Sequence, residues 1–383
     1  MDKITPVIIY APGLGRQDAN TADGVAEVLA RAIDRREDPR TCSTKSDSTV
    51  LAPKGLKVAK TIVDDKDQAL IQLFELDYAG RLDKTSGTAG PPAPPGIVQS
   101  TKYTVFAAGL LAWAWRRPAK RFMTKVQLWL GFVALLALIL AWLVALYAAL
   151  ISAGLDLPKP IGGLFGEDAA GWTFGISGTA AVVTWAVVRR KALALAATIQ
   201  HLIDYTRNSE RLRDTVCLTV DDAIAGLLDD GWKGDIHLLG YSFGSLVLYD
   251  AAFPHPSAQK RSEPFNKAAS LVTVGCPLDL VRLYNKDYTN GRHARKSGLL
   301  WRNIYNAADV FGSNLQDEND VTDGKSEAAS LRAFEPESTR YLQERLTLVQ
   351  LLMGGGFRMH AGYWGAAEEA HCFENILDLW LPA

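Results

Sequence analysis

From Val126 to Leu155 the chain reads VQLWLGFVALLALILAWLVALYAALISAGL, and no residue in that run carries a charge. A helix needs about 20 apolar residues to cross the hydrocarbon core of a bilayer, so the run spans it with tilt to spare. Helices buried in soluble domains rarely stay apolar on every face for such a length. A second charge-free run, Ala169 to Val188, AAGWTFGISGTAAVVTWAVV, is shorter and rich in Gly, Ser and Thr. Small residues let membrane helices approach closely, and Gly171 and Gly175 stand in G-x-x-x-G spacing. Together the runs predict transmembrane spans over 126–151 and 170–188. Any globular domain must be assembled from the residues on either side of this block.

Those flanks are long enough for a sizeable core in a chain of 383 residues. A formal net charge of -1 gives no global electrostatic reason to expect a nucleic-acid partner. Cys42, Cys217, Cys276 and Cys372 are scattered, with no C-x-x-C and no histidine at metal-ligand spacing. Neither a disulfide framework nor a metal site is expected, and the chemistry considered below needs no cofactor. The opening residues MDKITPVIIYAPG hold only a short apolar run broken by Pro6, too short for a secretory signal, so this end is expected in the cytoplasm.

Periodicity places a strand over Thr5–Ala11, a turn over Pro12–Gly15 and a helix over 21–36. Residues 37–66 read as loop with at most a short strand, and Leu70–Tyr78 as a strand. The Pro- and Gly-dense stretch Thr85–Gly96 marks a break. Beyond the hydrophobic block, helices are expected over 191–204 and 210–230, a strand over 235–241 and a helix over 245–252. Strands over 269–275 and 299–306 and a closing helix over 366–379 follow. Alternation of this kind predicts an α/β domain with a mostly parallel sheet covered by helices on both faces. The expected division is 1–96 and 191–383 for the two parts of that domain, with 97–190 as a membrane insertion. Within the insertion, 101–115, TKYTVFAAGLLAWAW, reads either as an interfacial segment with Trp113 and Trp115 at headgroup level or as the first turns of a long membrane helix.

The stretch DIHLLGYSFGSLVLYDAAF carries the chemistry. Gly240, Ser242 and Gly244 form G-x-S-x-G, with a strand pattern before and a helix pattern after. In that context a sharp turn lifts the serine hydroxyl above the sheet, and the glycines let helix and strand approach. Phe243 N–H then lies at a helix start, where backbone donors favour an oxyanion. A serine hydroxyl needs a base, and the base an orienting acid. LLWRNIYNAADVFGS puts Asp309 in a turn three residues beyond a strand end, and Asp279 in GCPLDL is the alternative acid. His360 lies in the glycine-rich GGGFRMHAGYW, ahead of the closing helix. His237 reads as a packed or rim residue of the strand and His371 as a solvated or half-buried helix residue, whereas His201, His255 and His293 precede the acid. Ser242, Asp309 and His360 thus follow in the order Ser, Asp, His.

With APGLG, GYSFGS, SLVTVGCPLDL, LWRNIYNAADVFG and HAGYW, the chain resembles the α/β-hydrolase superfamily, and more loosely its lipase and esterase branches. The resemblance covers residues 1 to about 80 and 190 to 383, not the insertion. PVIIYAPGLG is similar to the HG-x-G turn after an early strand in lipases, which implies Leu14 N–H as the second oxyanion donor; Pro12 stands where that family commonly has His. The fold implied is an α/β-hydrolase-like, mostly parallel sheet carrying a two-helix transmembrane hairpin.

Leu14 precedes the insertion and Ser242 follows it, so the two meet only if the chain crosses the bilayer an even number of times. Arg116, Arg117, Lys120, Arg121 and Lys125 precede the first span and Arg189, Arg190 and Lys191 follow the second, whereas the loop DLPKPIGGLFGED has a single lysine. Positive residues stay in the cytoplasm, so the globular domain is expected to face it, as in a bacterial inner-membrane protein. The expected activity is a membrane-anchored serine hydrolase that cleaves an ester or thioester of a lipid-like or acylated substrate. A catalytically silent membrane-tethered binding or signalling module, and an amidase or peptidase, are the alternatives. The partners expected are the bilayer and that substrate, with no nucleic acid.

Overall fold

The computed structural model describes residues 5–13, 21–35, 42–46, 53–78, 129, 202, 205–206, 210–258, 262–285, 287–306, 309, 311–313, 315, 337–340, 359–360, 362–364 and 372–381. Two units divide the chain, one of Met1–Pro91 with Leu202–Ala383 and one of Pro92–His201. In the second unit only Trp129 is described, as a helical and exposed residue. The expected interfacial segment over 101–115, the spans over 126–151 (Trp129 apart) and 170–188, and the Pro- and Gly-dense break therefore lie outside the described residues. Among the described residues no helix is long and apolar enough to cross a membrane.

The first unit is an α/β structure around an eight-stranded sheet, and its elements follow from the residues that form them. Strand β1 (Val7–Ala11) is apolar and buried at all five positions. A strand buried on both faces needs no polar alternation. Val7, Ile9 and Ala11 enter one core, and Ile8 and Tyr10 the other. Helix α1 (Ala22–Asp34) starts where Thr21 caps it, its hydroxyl oxygen accepting from Gly24 N–H at 3.3 Å. Val25, Val28, Leu29 and Ile33 of α1 join Ile8 and Tyr10 in the second core, along with Trp364, Phe373 and Trp380 from near the C-terminus. The opposite core takes Val216, Val220, Ile224 and Leu227 of α2 (Glu210–Asp229).

The strands run in the order β2 (Ser43–Ser46), β3 (Leu56–Val63), β4 (Ala69–Leu76), β1, β5 (Ile236–Tyr241), β6 (Ala268–Val274), β7 (Leu300–Tyr305), β8 (Glu337–Arg340). Pairing is antiparallel from β2 to β4 and parallel from β4 through β1 to β8. β1 pairs on one side with β4 and on the other with β5, Ile9 facing Phe74 and Leu238. Strands from before and after residues 92–201 are thus direct neighbours at the centre of one sheet.

Over 37–66, expected as loop with room for one short strand, the sheet has two strands, β2 and β3, which form an antiparallel edge. STKS has no apolar residue, and β3 carries register shifts near Ala59 and Val63 that break the period-2 pattern. β8, reading ESTR, went unseen for the same want of apolar residues. The helix expected over 245–252 begins at Phe243 (α3, Phe243–Ala252), immediately after the serine. A short helix α4 (Ser262–Phe265) precedes β6, and α5 (Leu278–Tyr284) was not foreseen. Instead of one closing helix, the described C-terminal residues form a 3₁₀ turn over Cys372–Asn375 and a single helical turn, α6 (Leu377–Trp380), broken at Ile376 with φ of -135°. Residues 191–201, 203–204 and 366–371 of the expected helices lie outside the described residues.

Asp250 of α3 is the centre of a buried charge network. Asp250 accepts from Tyr205 and Tyr288 hydroxyls, both at 2.6 Å, and pairs with Arg292. Arg292 N–H groups also reach the carbonyls of Tyr288 and Phe253, and its guanidinium lies 4.3 Å from the Tyr288 ring centroid. A second buried pair joins Arg295 to Asp221 at 2.7 Å. Charges withdrawn from water are tolerated only when compensated in this way.

His237 of β5 is the packed residue expected, its Nδ1 lying 2.9 Å from Ser270 Oγ. Burial pushes its pKa down from 6.5 to about 4. The folded state therefore holds the ring neutral. Its contribution is complete above pH 6.5 and is lost as pH falls toward 4. Urea unfolding in detergent at pH 7 and pH 4.5 is expected to show wild type losing about 2–3 kcal/mol more than His237→Gln across that interval; equal losses would show that the ring does not titrate on unfolding.

Candidate active site

β5 ends at Tyr241, and Ser242 turns the chain at φ 53° and ψ -122° before α3 begins. A residue with a side chain holds positive φ only where its surroundings impose it. Here Ser242 N–H donates to Val274 O at 2.8 Å, and Ser242 O accepts from Ser245 N–H at 3.0 Å. Ser245 Oγ locks the base of the turn, donating to Gly240 O at 2.7 Å and accepting from Val274 N–H at 3.1 Å. The flanking glycines are required by contact. A Cβ on Gly244 would lie 2.0 Å from Ala11 O, and one on Gly240 2.5 Å from Ser245 Cα. The start of α3 is thereby pressed against the end of β1. On the far side, a Cβ on Gly13 would come within 3.0 Å of Ser242 Cβ, so the turn after β1 stands beside the serine.

Three segments distant in sequence meet at the Ser242 hydroxyl. His360 Nε2 is 2.7 Å from Ser242 Oγ, and its Nδ1 is 2.9 Å from Asp309 Oδ2. An ionised carboxylate only accepts, so the Nδ1 proton points to Asp309 and Nε2 is left to accept from the serine. Asp309 sits just past β7, its side chain fully buried beside a His360 side chain that is 14% exposed. Its Oδ1 accepts from Phe311 N–H at 2.8 Å, and Asp309 N–H donates to Asn306 O at 3.0 Å. His360 is held from two directions: Tyr241 donates its hydroxyl to the His360 carbonyl and stacks on the imidazole at 5.5 Å, and Phe311 meets the ring edge-on at 4.9 Å.

Tyr363, in a 3₁₀ turn over Gly362–Trp364, is a further partner. Its hydroxyl donates to Asp309 Oδ2 at 2.8 Å and accepts from Asn306 N–H at 2.8 Å. Burial, and then the negative Asp309 beside it, raise the Tyr363 pKa well above the usual tyrosine value, so the phenol remains a donor. Two glycines leave room for this meeting. A Cβ on Gly275, which has φ of +58°, would lie 2.8 Å from the Tyr363 ring and 3.3 Å from both Asp309 Oδ2 and His360 Cε1. A Cβ on Gly312 would lie 2.8 Å from Asp309 Oδ2.

Of the residues singled out from sequence, Ser242, Asp309 and His360 come together, and Gly240, Gly244 and Phe243 take positions around the turn. Leu14 lies outside the described residues, as do His201 and His371. Asp279, the alternative acid, stands in the first turn of α5 with its carboxylate 3.8 Å from Arg282. His255 Nδ1 lies 2.8 Å from Ser257 Oγ. The supporting residues Tyr241, Tyr363, Gly275 and Gly312 were missed. Tyr241 and Tyr363 lie inside GYSFGS and HAGYW, but nothing in the spacing shows where a phenol will point. Among the described residues no cluster of His, Cys, Asp and Glu is placed to hold a metal ion.

The arrangement is able to pass a proton from the Ser242 hydroxyl to an imidazole whose orientation a buried carboxylate fixes. Comparison with known proteins found no matching family model, no matching curated protein and no matching solved structure.

Gly275→Ala is expected to force a side chain into positive φ against Tyr363 and Asp309, costing about 1–3 kcal/mol. Urea unfolding measures it, and unchanged stability would mean that the three-way contact is not close.

Proposed function

We propose that the chain is a membrane-anchored serine hydrolase that cleaves an ester or thioester of a lipid-like substrate. The observation that carries this reading is the continuous Ser242–His360–Asp309 hydrogen-bonded relay, with Ser242 at positive φ on a strand–turn–helix elbow. In this reading Ser242 Oγ attacks the substrate carbonyl carbon while its proton passes to His360 Nε2. Asp309 holds the imidazole in its tautomer and stabilises the imidazolium that forms. The Phe243 N–H receives the developing oxyanion, joined in this reading by the N–H of Leu14, the residue after Gly13 in sequence. His360 then returns the proton to the leaving alcohol or thiol, and water releases the acyl group by the same steps in reverse order. The relay also supports the resemblance to the α/β-hydrolase superfamily, because the three residues follow in that family's order.

The preference for a lipid-like substrate rests on the charge-free runs from Val126 to Leu155 and Ala169 to Val188, which would hold the site at a bilayer surface. Because β4 and β5 flank β1 in one sheet, an insertion that crosses the bilayer must begin and end on one side. The basic residues bordering the runs support a cytoplasmic domain at a bacterial inner membrane.

A fluorophosphonate probe, which phosphonylates an activated serine, is expected to label wild type in detergent, not to label Ser242→Ala, and to label His360→Ala slower by orders of magnitude. Folded wild-type protein that resists the probe would instead favour a silent binding module. Topology is read with a membrane-impermeant maleimide in a Cys42→Ser background. Lys159→Cys should react in intact cells and Arg40→Cys only after permeabilisation; reaction of both from one side would overturn the hairpin.

A further inference from the structure

We propose that Tyr363 is a positioning residue of the relay, acting through Asp309 to hold the carboxylate oxygen that faces His360. The role rests on the hydrolase reading above. Asp309 Oδ2 receives two donors, His360 Nδ1–H at 2.9 Å and the Tyr363 hydroxyl at 2.8 Å. These donors stand three residues apart on one short segment, so that segment docks on the acid at two points rather than one. The second donor on that oxygen fixes where the acceptor of the His360 Nδ1 proton sits, and so the direction in which the imidazole is held.

The phenol is itself fixed. Asn306 N–H donates to its oxygen at 2.8 Å, from the backbone at the end of β7, three residues before the acid. A donor whose oxygen already accepts a hydrogen bond is polarised and donates more strongly. The chain Asn306 N–H to Tyr363 O–H to Asp309 Oδ2 therefore runs from sheet backbone to acid without an exposed member, Tyr363 being 0% and Asp309 3% exposed. Phe311 N–H occupies the other carboxylate oxygen at 2.8 Å, which restrains the group against flipping.

The surrounding surface is cut to this one arrangement. Gly275 and Gly312 approach from two sides, and a Cβ on either would strike Tyr363 and crowd Asp309 Oδ2 at 3.3 and 2.8 Å. At the hydroxyl itself the fit is set by Gly312, whose added Cβ would lie 2.9 Å from the Tyr363 oxygen. Tyr241 is the other titratable side chain that meets the pair, and it holds the backbone carbonyl of His360 rather than the acid.

The test is Tyr363→Phe, which removes one oxygen and keeps the ring. Reaction with a fluorophosphonate is followed to completion, so that kinact is obtained per reactive serine and misfolded molecules drop out. The expected result is a kinact about tenfold lower with KI unchanged, the size of effect from one lost hydrogen bond to a charged group. The low-field proton resonance of His360 Nδ1–H is expected to move between wild type and variant. A kinact within twofold of wild type, or an unmoved resonance, would overturn the positioning role. Should Tyr363→Phe not fold, 3-fluorotyrosine at 363 keeps the hydroxyl and makes it a stronger donor. The resonance should then still move, and a fixed one overturns the role. No labelling of folded wild type would sink the hydrolase reading instead, while the resonance would still report on Tyr363.

Discussion

Everything at the candidate site depends on the contact between the start of α3 and the end of β1. Ser242 sits at φ 53°, a conformation that costs on the order of 1–3 kcal/mol and persists only if neighbouring structure overdetermines it. The overdetermination is visible. Gly244 packs so closely on Ala11 O that no side chain fits, Ser245 Oγ bonds the backbone of both β5 and β6, and Ser242 N–H is held by Val274 O. The strand pairings carry the rest, since β1 and β6 flank β5 in register. The serine is thus placed by the sheet's centre, where backbone position is least free to drift.

Asp309 and His360 are placed differently, by local hydrogen bonds rather than by sheet register. Asp309 follows β7 and is fully buried, and three donors answer its charge: Phe311 N–H, Tyr363 O–H and His360 Nδ1–H. A buried carboxylate with fewer donors would neutralise or pull the site out of shape. The hydrogen bonds that make burial of Asp309 tolerable are therefore the same ones that aim His360. Stability and geometry are not separable at this residue, and the glycines at 275 and 312 are the steric condition for both.

Much of this was legible in the sequence because it is local or ordinal. G-x-S-x-G between a strand pattern and a helix pattern announces its own turn, and the order Ser242, Asp309, His360 narrows the search for acid and base. The apolar run of β1 likewise reads directly as a strand buried on both faces. What escaped is non-local or masked by polar composition. β2 and β8 carry no apolar residue, so their place in the sheet comes from pairing alone, and β3 loses its alternation at two register shifts. Tyr363 reaches a partner 54 residues away, and Asp250 draws on Tyr205, Tyr288 and Arg292 from elements far along the chain. No periodicity encodes such meetings.

Described residues from either side of residues 92–201 meet at Phe243. Tyr78, the last described residue before residues 92–201, donates its hydroxyl to Pro12 O and lays its ring 6.0 Å from that of Phe243. Tyr205, among the first described after them, places its ring edge-on to Phe243 at 5.0 Å and bonds Asp250. Both flanks are therefore buried against the residue that follows Ser242. Phe243 thus ties together the two stretches of sequence that make up the first unit, and the same residue begins the helix that follows Ser242.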